Sequence, residues 1–350
     1  MKGRSRRRGF SLLETLTGLA LGTFVSVGAL VLTSNFQRFS HRHVGEIETS
    51  QGLRRALDLM SEDLRNAGVG VGYMPDGTFS GLLGGAFSLP GGASFSANNR
   101  AIKTVDGSLL TDDLGVRRAL GRRRTIAYLD GGYGEVCRGL NLAADDIVSV
   151  VSRSGLAGRT LRIVSASATT CSRNPCSNGC QGLSFASDPS YLSDPSALSR
   201  RFTAGDMFQE YETVVWFIAV DADGFPSLRR VGGAAIQTCA AADESCGGEV
   251  GEGVEFIQMA WWRLDSSGAW VSVSHDSMVQ TEDPLKVDVE IVTRTRQDPG
   301  VGRSRHVESE IETGLCVPAH CGRTETPDRV PRTVLRTSIE VRNAGRLRIR

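Results

Sequence analysis

Two hydrophobic patterns divide the chain. From Thr15 to Gln37 there are 23 residues without a charge, rich in Leu, Val, Ala and Gly. A helix of that length rises roughly 35 Å at about 1.5 Å per residue, enough to cross a hydrocarbon core of about 30 Å. Beyond it the pattern becomes one-sided. Leu53, Ala56, Leu57, Met60, Leu64 and Ala67 recur at three- and four-residue spacings, while Arg54, Arg55, Asp58, Glu62 and Arg65 occupy the other face. No proline lies between Phe10 and Ala67, and Gly68, Gly70 and Gly72 follow. One helix is therefore expected over 10–67, membrane-spanning over about 10–37 and stopped at the glycines.

Residues 68–121 are rich in Gly, Ser and Asn, with Gly81-Leu82-Leu83-Gly84-Gly85 and Pro90-Gly91-Gly92, and read as a long irregular connection with short elements. Short β-type runs follow at Thr125–Leu129, Ile147–Ser152, Thr160–Ser165, Thr213–Val220, Val254–Trp262, Trp270–Ser274, Val287–Thr295 and Thr333–Arg342. In the last two, Val287, Val289 and Ile291 alternate with Asp288 and Glu290, and Leu335, Thr337, Ile339 and Val341 alternate with Arg336, Ser338 and Glu340. That period predicts antiparallel strands with one apolar face and one solvated face. Asp221-Ala222-Asp223-Gly224 between two runs is a hairpin turn signal.

Composition adds a location. With 40% hydrophobic residues the chain has material for a real core, and a formal charge of +1 gives no global reason to expect a nucleic-acid partner. The charge is unevenly placed: Lys2, Arg4, Arg6, Arg7 and Arg8 all precede Gly9, directly before the apolar run. Positive residues before the span orient the N-terminus to the cytoplasm and the rest outward. No small-residue cleavage site of the A-x-A kind follows the span, so an ordinary secretory signal does not account for it. Glu14 is a carboxylate at the start of the apolar stretch, where an unpaired charge costs several kcal/mol. No Lys or Arg lies within helical reach on its C-terminal side, so its partner must come from another molecule or from a new amino terminus.

Arg8-Gly9-Phe10-Ser11-Leu12-Leu13-Glu14 resembles the processing motif of type IV prepilins and type II secretion pseudopilins: basic leader, Gly, Phe, apolar residues, and Glu at the fifth position after the cut. The resemblance implies that a prepilin peptidase removes residues 1–9 between Gly9 and Phe10 and that the Phe10 amine is methylated. It also implies that Glu14 neutralises the Phe10 amine of a neighbouring subunit during assembly. Ala56-Leu57-Asp58-Leu59-Met60-Ser61-Glu62-Asp63-Leu64-Arg65-Asn66-Ala67-Gly68 looks like the helix end of large minor pilins of the PilW type. Gly253-Val254-Glu255-Phe256-Ile257-Gln258 and the final Leu335–Asn343 strand are similar to segments of that family and of the J-type minor pseudopilins. The implied fold is α+β and pilin-like: a long N-terminal helix packed on an antiparallel β-sheet head over 68–350, with long disulfide-bearing loops. The implied partners are the peptidase, other minor and major pilins or pseudopilins, the inner-membrane assembly platform and inner-membrane lipid.

Eight cysteines, all beyond residue 136, favour disulfides in a head that leaves the cytoplasm. By proximity, Cys239 with Cys246 and Cys316 with Cys321 would form local bridges, and Cys137 would pair within the cluster Cys171, Cys176 and Cys180. The spacing of that cluster is not a zinc-knuckle pattern and no His lies near it, so no metal or other cofactor is expected. Asp221 and Asp223 begin like a calcium loop but lack its distal Glu. Ser274-His275-Asp276 is read as coincidence, because adjacent strand residues point to opposite faces. Of Trp261 and Trp262, one is expected to face inward and the other outward. No catalytic residue is expected. The function expected is that of a low-copy minor pilin acting in assembly initiation or tip display, with a pseudopilin of a secretion system and a signal-anchored periplasmic enzyme or binding protein as alternatives.

Overall fold

The computed structural model describes residues 11–68, 81–89, 91–97, 100–104, 107–130, 132–139, 142–144, 146–151, 158–172, 176–186, 203–275, 285–294 and 332–341. Gly9, Phe10, Cys316, Cys321 and Asp276 lie outside the described residues. The chain divides into two compact units, Met1–Gln51 and Gly52–Arg350.

Helix α1 runs over Leu12–Arg65 as one α-helix of 54 residues, and Gly68, at φ 72°, ends the turns that follow it. Only glycine holds that left-handed conformation without a Cβ penalty, so the expected stop is placed where the first glycine allows it. Seventeen strands follow among the described residues: β1 (Leu82–Leu83), β2 (Ala86–Ser88), β3 (Ser94–Ser96), β4 (Arg100–Thr104), β5 (Gly107–Thr111), β6 (Leu114–Asp130), β7 (Tyr133–Cys137), β8 (Ile147–Val151), β9 (Gly158–Thr169), β10 (Cys180–Ala186), β11 (Met207–Val220), β12 (Pro226–Gly232), β13 (Gly248–Glu252), β14 (Val254–Leu264), β15 (Trp270–Val273), β16 (Leu285–Arg294) and β17 (Arg332–Val341). The class is α+β with antiparallel sheets. The stretch expected to be an irregular connection holds the hairpins β2–β3 and β4–β5 and the start of β6.

The largest sheet has the order β1-β6-β7-β10-β9-β8-β11-β12-β13, and a further ladder joins β6 to β11. That extra ladder closes β6, β7, β10, β9, β8 and β11 into a six-stranded antiparallel barrel, which the sequence reading did not contain. Both long strands serve two structures. Tyr211–Trp216 of β11 pair with Leu114–Ala119 of β6, while Met207–Glu210 pair with Val148–Val151 of β8 and Ile126–Asp130 of β6 pair with Tyr133–Val136 of β7. Register shifts at Gln209/Tyr211 and at Ile126/Tyr128 mark where the strands bend from the open sheet into the barrel. Everything from the second half of β6 to the first half of β11 is thus a contiguous insertion with its own core of Ile126, Val136, Val148, Val150, Leu161, Ile163, Leu183 and Phe208.

A second sheet, β15-β14-β16-β17, faces the first. Leu53, Ala56, Met60, Leu64 and Ala67 of α1 are buried in one cluster with Val214, Trp216 and Ile218 of β11 and with Ile257, Trp261, Val287, Val289, Ile291 and Ile339 of the second sheet. The alternate side chains of β11, Val215, Phe217 and Ala219, are buried on the opposite face against Phe95, Ile236, Cys239 and Cys246. Because both faces of β11 are covered, Thr213–Val220 reads as a continuous apolar run without alternation. One expectation is corrected: Glu290 does not face solvent but is fully buried, its Oε2 accepting a 2.6 Å bond from Arg336 Nε on the neighbouring strand. The guanidinium compensates one oxygen of this buried carboxylate, while Oε1 has no hydrogen-bond partner among the described residues.

Candidate functional site

The N-terminal half of α1 is apolar and uncovered. Leu12–Gln37 is long and apolar enough to cross a membrane, and large side chains along it are open to the surroundings, with Leu12 and Phe24 each 80% exposed. Five hydroxyls in this stretch bond back onto the helix. Thr15 donates to Ser11 O, Thr17 to Leu13 O, Thr23 to Ala20 O, Ser26 to Gly22 O and Thr33 to Ala29 O, at 2.8–3.0 Å. Bonding back onto the helix removes the desolvation cost that free hydroxyls would carry in an apolar medium.

Ser11 sits at the N-terminus of α1, and its Oγ accepts a 3.3 Å bond from Leu13 N. Ser11 and Glu14 have the Ser-x-x-Glu spacing of a capping box, which offers Glu14 a purely local role. The structure does not use it: among the described residues the Glu14 carboxylate has no hydrogen-bond or ion-pair partner. Among the described residues, the first turn of α1 therefore presents a carboxylate without a partner at the end of an apolar helix.

Farther along, α1 is held by a site that sequence reasoning missed. Asp63 is buried beside the apolar stripe. Its carboxylate accepts from Trp216 Nε1 at 2.8 Å and Arg230 Nε at 2.9 Å, and pairs with Arg118 Nη1 at 2.9 Å. Arg118 also binds Glu212 at 3.1 Å, so two guanidinium groups meet two carboxylates. These donors come from three adjacent strands, since Arg118 opposes Glu212 across β6 and β11 and Trp216 opposes Arg230 across β11 and β12. One helical residue fixes where the helix sits on the sheet. The only sequence signal was an acidic residue at the margin of an apolar stripe.

A second buried carboxylate pair ties the elements of the head together. Asp113 Oδ2 accepts from Ser96 N at 2.9 Å and from Arg100 Nε at 2.6 Å, and Arg100 reaches Ile218 O. Asp112 Oδ2 accepts from Met259 N at 2.8 Å and lies 3.6 Å from His275 Nε2. His275 thus faces Asp112 across the head. Burial, opposed in part by Arg100, pushes the Asp113 carboxyl up to about 6.

The six described cysteines fall in two places. Sulfurs stand at bonding distance in the pairs Cys137–Cys176, Cys171–Cys180 and Cys239–Cys246. The first pair ties the end of β7 to the approach to β10, the second joins the segment after β9 to the first residue of β10, and the third closes the turn before β13 under the β11 sheet. Cys171, Cys176 and Cys180 have sulfurs within 4.8 Å of one another, a spacing that would hold a thiophilic ion only with both bridges reduced. The remaining sequence candidates resolve simply. Asp221 Oδ1 accepts from Phe225 N and Gly224 has φ 79°, so Asp221–Gly224 forms the β11–β12 turn. Trp261 is buried in the main core, and Trp262 on the other face lies with Trp270 around the Lys286 ammonium, which is 5.3 Å and 5.6 Å from the two rings.

No family model matches the chain, and no curated protein matches it in sequence.

Proposed function

We propose that the chain is a prepilin-like minor subunit of a type IV pilus, held in the inner membrane by the first half of α1 and drawn from there into a filament. The observation that carries this reading is the uncovered apolar half of α1 with Glu14, unpaired among the described residues, in a first turn that follows Arg8-Gly9-Phe10-Ser11. Lipid satisfies the apolar surface but not the carboxylate. A neighbouring subunit satisfies both, since its helix covers apolar side chains and its Phe10 amine supplies the opposite charge. The second half of α1 then belongs to the head, and Asp63 secures it there.

In this reading the chain performs no catalysis and acts by assembly and display. A head carrying an additional barrel suits a filament end, where one side has no neighbour, better than every position of a crowded shaft, and the subunit is accordingly of low copy number. Glu14→Ala tests the assembly role. Membrane insertion and leader removal should be unchanged, while incorporation into filaments in competition with wild type should fall by at least about tenfold, the equivalent of 1.4 kcal/mol of docking preference. Equal incorporation would contradict the reading.

A further inference from the structure

The first strands of the barrel insertion are locally basic. From Arg122 to Gly139 there are four arginines against Asp130 and Glu135, in a protein of formal charge +1. Two of those arginines line one cleft. Arg124 and Thr125 of β6, Cys137, Arg138 and Gly139 at the end of β7, and Cys176, Ser177 and Asn178 ahead of β10 enclose about 280 Å³. No carboxylate is among these lining residues, and Glu135 is engaged elsewhere, accepting from Ser172 N at 2.7 Å and from its hydroxyl.

Three features distinguish the cleft from a solvated basic surface. Arg124 Nη2 donates to Gly139 O at 3.0 Å, but its Nε is buried with no hydrogen-bond partner among the described residues. Leaving a buried donor unmade is costly, and such an atom calls for an acceptor from outside. Gly139 makes room for this group. At φ 130° it holds a conformation that suits glycine, and a Cβ there would come within 2.3–2.7 Å of Arg124 Nη2, Nε and Cζ. Finally, the cleft walls are tied together by Cys137–Cys176, and Arg138 is oriented by a 3.1 Å bond from its Nε to Cys180 O. Two guanidinium forks are thus held on a braced frame, with a threonine, a serine and an asparagine beside them.

The geometry points to a binding site for an oxyanion, a phosphate or sulfate group, between Arg124 and Arg138. Paired guanidinium groups match the oxygens of such anions through two-pronged, charge-assisted hydrogen bonds, which a lysine cannot reproduce. The volume approaches the lower end of small-ligand sites, about 300 Å³, and exceeds what a bare oxyanion needs, so it accommodates the group as an ester on a sugar-sized body. Such a site would give the barrel a recognition role whether or not the helix serves a filament.

Titration calorimetry of the full chain in a non-ionic detergent, at fixed ionic strength, decides the matter. The probes are inorganic phosphate, inorganic sulfate, glucose 6-phosphate and glucose 6-sulfate. Saturable one-to-one binding is expected. Arg124→Ala, Arg138→Ala and the charge-retaining Arg124→Lys should each weaken it by about tenfold or more, and Arg55→Ala, on the exposed face of α1, should leave it unchanged. Tighter binding of the esters assigns a sugar-borne group; equal binding assigns the free anion. Gly139→Ala should weaken binding with the circular dichroism spectrum retained. Absence of saturation, or affinity unaltered by both Arg124→Ala and Arg138→Ala, would overturn the site.

Discussion

Removing the carboxylate of Asp63 would leave Arg118, Arg230 and the Trp216 indole N–H without their shared acceptor in a buried seam. Losing one partner of a buried ionic network typically costs about 3–5 kcal/mol. Asp63→Ala is therefore expected to destabilise the head by about that amount in urea unfolding and to shift Trp216 fluorescence to longer wavelength. Unaltered emission and an unaltered midpoint would contradict the anchoring role. Asp113 makes a pH prediction. Burial raises its folded carboxyl from an ordinary 3.8 to about 6, so between those values the folded chain keeps a proton that the unfolded chain has released. The stabilisation linked to this group is present at low pH and is lost as pH rises through about 6, with an upper bound of about 3 kcal/mol. Asp113→Asn, which copies the neutral form, should gain stability relative to wild type as pH rises from about 4 to about 6. A constant difference across that range would be the contrary result. The sequence showed the apolar partners of these groups but not the polar ones, because Asp63 and its donors Trp216 and Arg230 are 153 and 167 residues apart.

The helix was legible because its signals are local: a charge-free run, a stripe at three- and four-residue spacing, and a glycine where a left-handed residue is needed. The strands with alternating side chains were equally legible. The barrel was not. Its closure depends on β6 pairing with both β7 and β11, a long-range choice with no local mark, and the arginines of Leu114–Asp130 hide a strand whose ends serve different cores. Bridging limits how far this insertion can open. Cys137–Cys176 encloses a separation of 39 residues, for which loop-closure entropy gives about 4 kcal/mol, and Cys171–Cys180 a separation of 9, for about 3 kcal/mol. Non-reducing peptide mapping should recover these two links together with Cys239–Cys246, and reduction should lower the unfolding midpoint of the barrel before that of the helix-bearing core. Recovery of free thiols with bound zinc at Cys171, Cys176 and Cys180 would contradict the bridged arrangement.

At the level of the complete chain, the sequence divides its tasks in order. An apolar half-helix long enough to cross a membrane comes first, the second half of α1 joins a two-sheet head through the Asp63 network, and the insertion between β6 and β11 adds a closed barrel with an arginine-lined cleft. The proposed assembly role rests on the first of these, because an uncovered apolar helix whose Glu14 has no partner among the described residues would be matched by a neighbour that supplies both apolar cover and a positive amine. That amine exists beside Glu14 only if the chain is cut before Phe10. Mass spectrometry of the N-terminal peptide of the protein isolated from its native cells is the most direct measurement. The account predicts a first residue of Phe10 carrying a methylated amino group; an intact Met1 end, or a cut beyond residue 30, would contradict it.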